Sequence, residues 1–315
     1  MDNLFQYSNS PISNILNRDP DYIETLKFLS EKIDKTVNIG THFLNWAASI
    51  KSDDLSKSTI LFMFRKIISD MDGMSILIAS GNEESCRPIQ RRMLEGSLAL
   101  LYILKEDTYR RAMCYQVGEA KSKIRTYRKL LKSPNPKVDL KWGIKNMENM
   151  LKRKEYKAIN TEWNAIKEKN KYKYDPLWYS LFNGPTNVRE LNNSAFTGMS
   201  SGEYNVTATH IYAIYQELSE DTHFASSMKE MHIDVNGAAC LNPLRNPIKL
   251  QTTIKFILIW ADMVYKAFLG HFIPDKLDLY MCFRKEFIIP TIIELNGKSI
   301  FSFESKKNHK LIFCV

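Results

Sequence analysis

The sequence has few of the residues that make tight turns, with 12 glycines and 11 prolines among 315 residues. A β-sandwich or β-barrel of this length would need many such turns, so their scarcity favours long helices. Hydrophobic residues make up 44% of the chain and charged residues 25%, as in a soluble globular protein. A chain of this length can also bury a sizeable core.

Paired cysteines and the common catalytic motifs are also missing. The five cysteines form no C-x-x-C pair, which argues against a zinc ribbon. Their odd number and wide scatter indicate reduced thiols in a cytoplasm. The sequence contains no GxGxxG, P-loop, HExxH or G-x-S-x-G motif. It therefore indicates no cofactor and no metal site.

Long uncharged hydrophobic runs are absent as well. The strongest apolar stretch, from Thr253 to Gly270, is interrupted by Lys255, Asp262 and Lys266. A membrane-spanning helix needs about 20 nearly uncharged residues. The first residues also lack the basic segment and apolar run of a secretory signal. We therefore expect a buried core helix, no membrane span and a cytoplasmic location.

The positive charge is concentrated in one segment. The chain has a net charge of +9, and between Lys105 and Lys173 the 20 Lys and Arg residues outnumber the 8 Asp and Glu residues by 12, which leaves −3 for the rest. Such a localised excess suits contacts with a phosphate backbone. A solvated surface without a ligand is the alternative. The candidate nucleic-acid-binding residues are Lys121, Lys123, Arg125, Arg128, Lys129 and Lys132.

Helix start and stop signals recur along the chain. Asp19 before Pro20 predicts a first helix that runs to about residue 50, and a second begins after Asp53 or Asp54 and ends before Gly81. Further helices are predicted over about 84–105, 107–131, 138–169, 203–225, 248–270 and 275–295, with an irregular connection over 231–247. We predict one all-α domain, 1–295, a multi-helix bundle in which 105–173 forms a charged, basic helical projection. The alternating tail, 296–315, fits a short C-terminal β-hairpin.

One carboxylate stands in an otherwise apolar helix. Between Arg92 and Lys105 the apolar residues cover nearly every direction of a helical wheel, which predicts burial. Glu95 lies inside that run, and a buried carboxylate is costly unless it is paired or protonated. Arg91, four residues earlier on the same face, is its nearest partner. The sequence therefore predicts a buried Arg91–Glu95 pair.

A later segment, "YQELSEDTHFAS", places His223 at the edge of the core face of a predicted helix, beside Ser219. There His223 could reach Glu95 and still contact solvent. Three interpretations stay open: His223 neutralises a buried acid, acts as an acid or base near neutral pH, or contacts a ligand or metal. On the same helix His210, Glu217 and Asp221 form a polar stripe, but their spacing is too long for one metal ion.

The motifs "RRMLEGSLALLYI" and "YAIYQELSEDTHFAS", with "YRRAMCYQ" after the first, resemble DUF5677, a helical bacterial family of unknown function. Members share an Arg-x-x-x-Glu helix and a later Tyr-x-x-x-Ser-x-x-x-His element. Here these positions are Arg91 and Glu95, then Tyr215, Ser219 and His223. The resemblance covers roughly residues 60–266. It implies an all-α fold and makes the Glu95–His223 region the family-like site, but it brings no established activity.

A looser similarity is to helical-bundle ribonucleases of the HEPN type. These resemble the chain in architecture, and they cleave RNA without metal through an Arg-x(4–6)-His motif at a dimer interface. No histidine here has an arginine five to seven residues before it, and Lys266-x4-His271 is the nearest imitation. The departure argues against that mechanism, although Arg91 or Arg92 could supply the cation from another helix.

Two hypotheses of function follow. In the first, the chain is a ribonuclease-like enzyme of a bacterial defence or toxin kind that acts on RNA or nucleotides: His223 is the acid or base, Glu95 orients it, and Arg91 or Arg92 stabilises phosphate charge. In the second, it is a non-catalytic adaptor whose basic helices bind nucleic acid or an acidic partner protein. A homo-oligomer is compatible with either. The candidate catalytic set is His223, Glu95, Arg91, Arg92, Ser219 and Tyr215.

Overall fold

A computed structural model describes residues 23–134, 139–171, 173–197, 207–222, 231–233, 237, 239–242, 244–245 and 250–296. These residues form helices and one pair of three-residue strands, so the predicted all-α class is confirmed. The helices are α1 (Ile23–Ser49), α2 (Leu55–Ala79), α3 (Glu83–Lys105), α4 (Thr108–Leu130), α5 (Asp139–Leu151), α6 (Lys154–Lys169), α7 (Val188–Phe196), α8 (Ala208–Thr222), α9 (Leu250–Phe272), α10 (Leu277–Phe283) and α11 (Ile289–Asn296).

The chain divides into two compact units. Unit 1 comprises Met1–Ser49, Phe64–Ser97 and Gly202–Val315, and unit 2 comprises Ile50–Met63 and Leu98–Ser201. Helices α2 and α3 therefore contribute residues to both units. The single domain over 1–295 stays a prediction.

The core of unit 1 is built around α9, the helix that contains the strongest apolar stretch. Tyr265 is fully buried, and its hydroxyl donates a 2.8 Å hydrogen bond to the backbone oxygen of Thr36 on α1. Gly40 permits this approach, because a Cβ there would clash with the Tyr265 ring. Phe64 and Phe268 stack with ring centroids 3.8 Å apart. The predicted core helix is thus confirmed.

The charged residues that interrupt the apolar stretch are satisfied inside unit 1. Asp262 has no exposed surface. It accepts a 2.7 Å hydrogen bond from the Tyr280 hydroxyl and lies 3.0 Å from Nε of the equally buried Arg284. Lys266 contributes a further contact at 3.0 Å. Within the described residues, no helix has both the length and the apolar character that a membrane span requires.

Unit 2 is organised around α4. Helices α5 and α6 and the 3-10 segment Trp178–Asn183 pack on it, and they bury Ile144, Tyr156 and Trp163 against its apolar face. The single helix predicted over 138–169 is therefore wrong. Arg153 adopts an extended conformation between α5 and α6, and both helices bury an apolar face against α4.

Local signals explain several boundaries. Asp54 accepts a 2.8 Å hydrogen bond from the backbone N–H of Ser56 at the start of α2, as predicted for a cap. Gly81 lies in the turn between α2 and α3. Its φ is 72°, a value at which a residue with a side chain would be strained. The connection after α8 contains antiparallel strands Met231–Ile233 and Ala239–Leu241, which the prediction of an irregular segment missed. The predicted C-terminal hairpin lies outside the described residues.

Candidate functional site

The side chains of Arg91, Glu95 and Tyr215 come together between α3 and α8 in unit 1. Nε of Arg91 lies 3.1 Å from a carboxylate oxygen of Glu95. The Arg91 guanidinium also donates to the Tyr215 hydroxyl at 3.5 Å and lies 5.4 Å from the centre of its ring. The predicted Arg91–Glu95 pair is therefore present, and a family-like tyrosine 124 positions away joins it.

The burial predicted for Glu95 is wrong. Its side chain is 45% exposed, although Leu98 and Tyr102, placed on the same side of the helical wheel, are 1% and 5% exposed. The apolar neighbours of Glu95 in the sequence belong to two different environments, because Leu98 begins the part of α3 that lies in unit 2. An exposed carboxylate needs no histidine to neutralise it, so the neutralising role of His223 loses its main reason.

A second cluster, one helical turn earlier on α3, is more deeply buried and was missed from the sequence. Arg87 is 11% exposed and contacts Glu83 at 3.4 Å, Glu217 at 2.9 Å, and Asp221. The hydroxyl of Thr253 lies 3.2 Å from the Glu83 carboxylate. The i, i+4 spacing of Glu83, Arg87, Arg91 and Glu95 along one face of α3 is the signal that could have found it.

The polar stripe predicted on α8 is only partly exposed to solvent. His210 is exposed and Glu217 is 55% exposed, but Asp221 is 13% exposed because it faces Arg87. Within the described residues, no group of three or more His, Cys, Asp or Glu side chains is arranged to hold a metal ion.

The third arginine, Arg92, pairs with Asp70 of α2, whose side chain is only 3% exposed. Its hydrogen bonds to Asp70 raise the pKa of Arg92, against the effect of partial burial. Burial acts to lower the pKa of Arg87 and Arg91, yet their carboxylate partners raise both values overall. All three guanidinium groups therefore stay charged near neutral pH, so none can transfer a proton there.

The charges of this site do not favour a phosphate group. Three arginines on α3 face five carboxylates, Asp70, Glu83, Glu95, Glu217 and Asp221, which leaves an excess of two negative charges. Each guanidinium already has a carboxylate partner. The ion pairs of the cluster can hold α3, α2 and α8 in register. The polar side chains of Arg91 and Tyr215 could also contact a ligand.

The remaining predicted catalytic residues are Ser219 and His223. Ser219 is half-buried on α8, one turn beyond Tyr215. His223 lies outside the described residues. Its pairing with Glu95 therefore stays a prediction.

The six basic candidates lie in the second half of α4 and just beyond it in unit 2. Lys123, Arg125, Arg128, Lys129 and Lys132 are exposed, and Lys121 is half-buried. Arg125 pairs with Asp175 and Arg128 with Glu148, each at 2.6 Å. Within the described residues, Lys129 and Lys132 have no ion-pair partner, and the 3.9 Å contact of Lys123 with Glu119 is weak. We call these six residues the basic surface.

The pKa of Lys121 is lowered, and nearby positive charges are part of the cause. Burial lowers it first, and the nearby positive charges of Lys167 and Arg128 lower it further, although Asp175 acts in the opposite direction. A lysine whose pKa is lowered by other cations lies where positive charge is crowded. Such a region attracts anions.

The fold and these contacts define an all-α protein with an arginine–carboxylate cluster in one unit and a basic surface in the other. The family model described as "Family of unknown function (DUF5677)" matches residues 57–239, and the chain belongs to that family. The matched range contains both the cluster on α3 and α8 and the basic surface. No curated protein and no solved structure matches the chain.

The family predicted from the motifs is therefore confirmed. The bacterial origin and the similarity to HEPN ribonucleases stay predictions. The motifs suggested a range of 60–266, and the match to residues 57–239 begins and ends somewhat earlier. It stops at strand Ala239–Leu241 and does not include α9.

Proposed function

We propose that the chain binds RNA or another nucleic acid through the basic surface. The observation that carries the proposal is the set of exposed lysines without carboxylate partners among the described residues, Lys129 and Lys132, within a segment of net charge +12. Binding to a polyanion releases counterions, and that release drives association without requiring a specific pocket. The same surface is required by both the enzyme and the adaptor hypotheses.

The charge balance favours this surface over the cluster in unit 1. A phosphate that approaches α3 meets more carboxylates than arginines, whereas one that approaches α4 meets an excess of cations. Arg125 and Arg128 pair with carboxylates but stay more than half exposed, so each can contact a phosphate as well. Exposed ion pairs of this kind contribute little to stability, about 0–1 kcal/mol, and are easily exchanged.

The test is the salt dependence of binding to a labelled single-stranded RNA, followed by fluorescence anisotropy. We expect log K to fall with log salt concentration by about 0.7 per phosphate contact. In a variant with Lys123→Gln, Lys129→Gln and Lys132→Gln, the slope of log K against log salt concentration should become shallower by about 2, because three phosphate contacts disappear.

The matched control carries Lys27→Gln, Lys66→Gln and Lys285→Gln, which removes the same charge from exposed positions of unit 1. This control should keep the wild-type slope. Equal loss in both variants would show that net charge matters rather than the surface. The proposal is also refuted if the wild-type protein does not bind the RNA at low salt.

A second candidate function is RNA cleavage; its support is that Arg91, Glu95 and Tyr215 converge as in the family-like motif, although the excess of carboxylates there does not favour a phosphate group. His223 would be the acid or base, since no arginine of the site can transfer a proton near neutral pH. The assay compares wild type with His223→Ala, with magnesium and with EDTA, after the two proteins show equal helicity and melting. Cleavage by wild type alone supports this candidate, and equal activity of both proteins contradicts it.

The alternative partner of the basic surface is an acidic protein, as the adaptor hypothesis states. It predicts that the lysine variant loses the protein partner and that RNA does not compete. A bacterial defence or toxin role, a cytoplasmic location and a homo-oligomeric state stay predictions.

A further inference from the structure

Unit 2 contains a cavity that none of the sequence motifs indicated. Its volume is about 390 Å³, which is within the range of small-ligand pockets. It lies between the end of α3, the first turns of α4 and the loop 178–185. Its lining includes two arginines, two glutamates and four aromatic residues: Arg110, Arg111, Glu106, Glu190, Tyr102, Trp178, Tyr179 and Phe182.

The loop that lines the cavity contains costly backbone geometry. Phe182 and Asn183 have φ values of 55° and 59°, in the left-handed region that residues with a side chain rarely adopt. Gly184 follows, where a Cβ would clash with the backbone oxygen of Tyr179. Trp178 packs edge-on against Tyr115, with ring centroids 5.3 Å apart. Strained residues of this kind often line functional sites.

The arginines of the cavity are stacked on aromatic rings. The Arg111 guanidinium lies 3.8 Å from the centre of the Tyr102 ring and donates to the Tyr102 backbone oxygen at 2.5 Å. The Arg110 guanidinium lies 4.9 Å from the centre of the Phe182 ring. Within the described residues, the one ion-pair partner of Arg110 is Asp107, and 46% of the Arg110 side chain is exposed. Most of its five N–H donors are therefore available to a ligand.

The lining suits a heteroaromatic ring better than a simple anion. Two arginines and two glutamates balance in charge, so the cavity has no cationic excess to hold a free phosphate. It offers guanidinium donors, carboxylate acceptors and the faces of aromatic rings. A nucleobase has the complementary set, namely acceptors, donors and a face that stacks on aromatic side chains.

The cavity is aligned with the basic surface along α4. At 100° per residue, Arg110, Lys121 and Arg128 point within about 20° of one another. Arg110 and Arg128 are separated by about 27 Å along the helix, at 1.5 Å per residue. A stacked strand has one phosphate every 3.4 Å or so, which makes about eight phosphates over that distance.

We propose that the cavity receives an unstacked nucleobase from a single-stranded RNA whose phosphates lie along the basic surface. This inference rests on the proposed function, since the basic surface would supply the affinity and the cavity would hold one base. Recognition of single strands commonly combines a basic path for the backbone with aromatic rings for the bases.

The experiment is photo-cross-linking of the full chain to single-stranded RNA of about eight nucleotides, with a photoreactive base at each position in turn. Cross-linked peptides are identified by mass spectrometry. We expect one position to cross-link within loop 178–184 or at Tyr102. Arg110→Gln should lower that cross-link about tenfold at saturating RNA, as expected for the loss of a charge-assisted hydrogen bond.

Arg65→Gln is the matched control, since it removes the same group from an exposed position on α2. It should keep the wild-type cross-link. Glu106→Gln, at a residue whose side chain is 66% exposed and pairs with Arg111, is a second test variant and should also weaken the cross-link.

The outcomes separate the two proposals. RNA binding with normal salt dependence, but with cross-links confined to α4–α6 and absent from the loop, overturns the cavity and leaves the basic surface intact. Absence of RNA binding overturns both. A parallel arm uses free nucleoside monophosphates. If the free monophosphates protect loop 178–184 and Tyr102 from chemical labelling and RNA does not, the cavity binds a free nucleotide. The inference that it binds a base of single-stranded RNA is then wrong.

Discussion

Replacement of Arg87 by methionine should destabilise unit 1 more than the loss of any exposed ion pair. The Arg87 side chain is 11% exposed, and its partners Glu83 and Asp221 are 9% and 13% exposed. Methionine keeps much of the volume but removes the ion pairs that Arg87 makes with these two buried carboxylates. Breaking a buried ion pair by removing one partner costs about 3–5 kcal/mol.

The expected loss is somewhat smaller here. The third partner, Glu217, is 55% exposed and stays solvated after the substitution. We therefore expect the free energy of unfolding to fall by about 2–4 kcal/mol. Arg128→Met is the control, because Arg128 and Glu148 are 63% and 39% exposed and their pair should contribute less than about 1 kcal/mol.

The assay is urea unfolding followed by circular dichroism, combined with hydrogen exchange of peptides from α8. The exchange measurement assigns the loss to unit 1, which matters because a chain with two compact units need not unfold in one step. Asp221→Asn added to Arg87→Met should recover about 1 kcal/mol, since it removes a buried negative charge that Arg87 balances in the wild type. A loss equal to that of Arg128→Met, or a double variant no more stable than Arg87→Met alone, would refute the reasoning.

Three further predictions concern packing and pH. Gly184→Ala should lower the free energy of unfolding by about 1–3 kcal/mol, because the new Cβ would overlap the Tyr179 carbonyl oxygen; urea unfolding measures this, and an unchanged midpoint would contradict it. Tyr265→Phe should cost about 1–2 kcal/mol, since a buried carbonyl of α1 loses its 2.8 Å donor, and a neutral effect in the same assay would show that water replaces the hydroxyl. Burial raises the pKa of Cys86 from 9.0 to about 12, so the unfolded thiol loses its proton first and stability should fall between about pH 9 and pH 12, by up to about 1.4 kcal/mol per pH unit. Cys86→Ala should show a shallower fall over that range in thermal melts at a series of pH values, and an identical fall would exclude this thiol as a cause.

The candidate site was predictable in part. The Arg91–Glu95 contact follows from i, i+4 spacing on one helix, and Tyr215 was expected at the same site from the family motif. The exposure of Glu95 was not predictable from its apolar neighbours, because α3 passes from unit 1 into unit 2 three residues later. A helical wheel assumes one environment along the whole helix, and here there are two.

Arg87 illustrates a second limit. Its partner Asp221 is 134 positions away, and 35 aspartates and glutamates in the chain are candidates for such a contact. Residue type and spacing alone do not distinguish among them. The cavity of unit 2 depends in the same way on a loop in which Phe182 adopts the left-handed region, a conformation that an aromatic side chain does not indicate.

The sequence by itself determined the properties that depend on residues near one another along the chain: the helical class, the start of α2 after Asp53 or Asp54, its end before Gly81, and the concentration of positive charge over 105–173. The tertiary structure decided the break at Arg153, the exposure of Glu95, the partners of Arg87 and the assembly of the cavity. The local properties follow from spacing along one helix, because residues within one turn are always close in space. The tertiary features follow from packing between distant segments, because packing selects one arrangement among the many that the same local pattern allows.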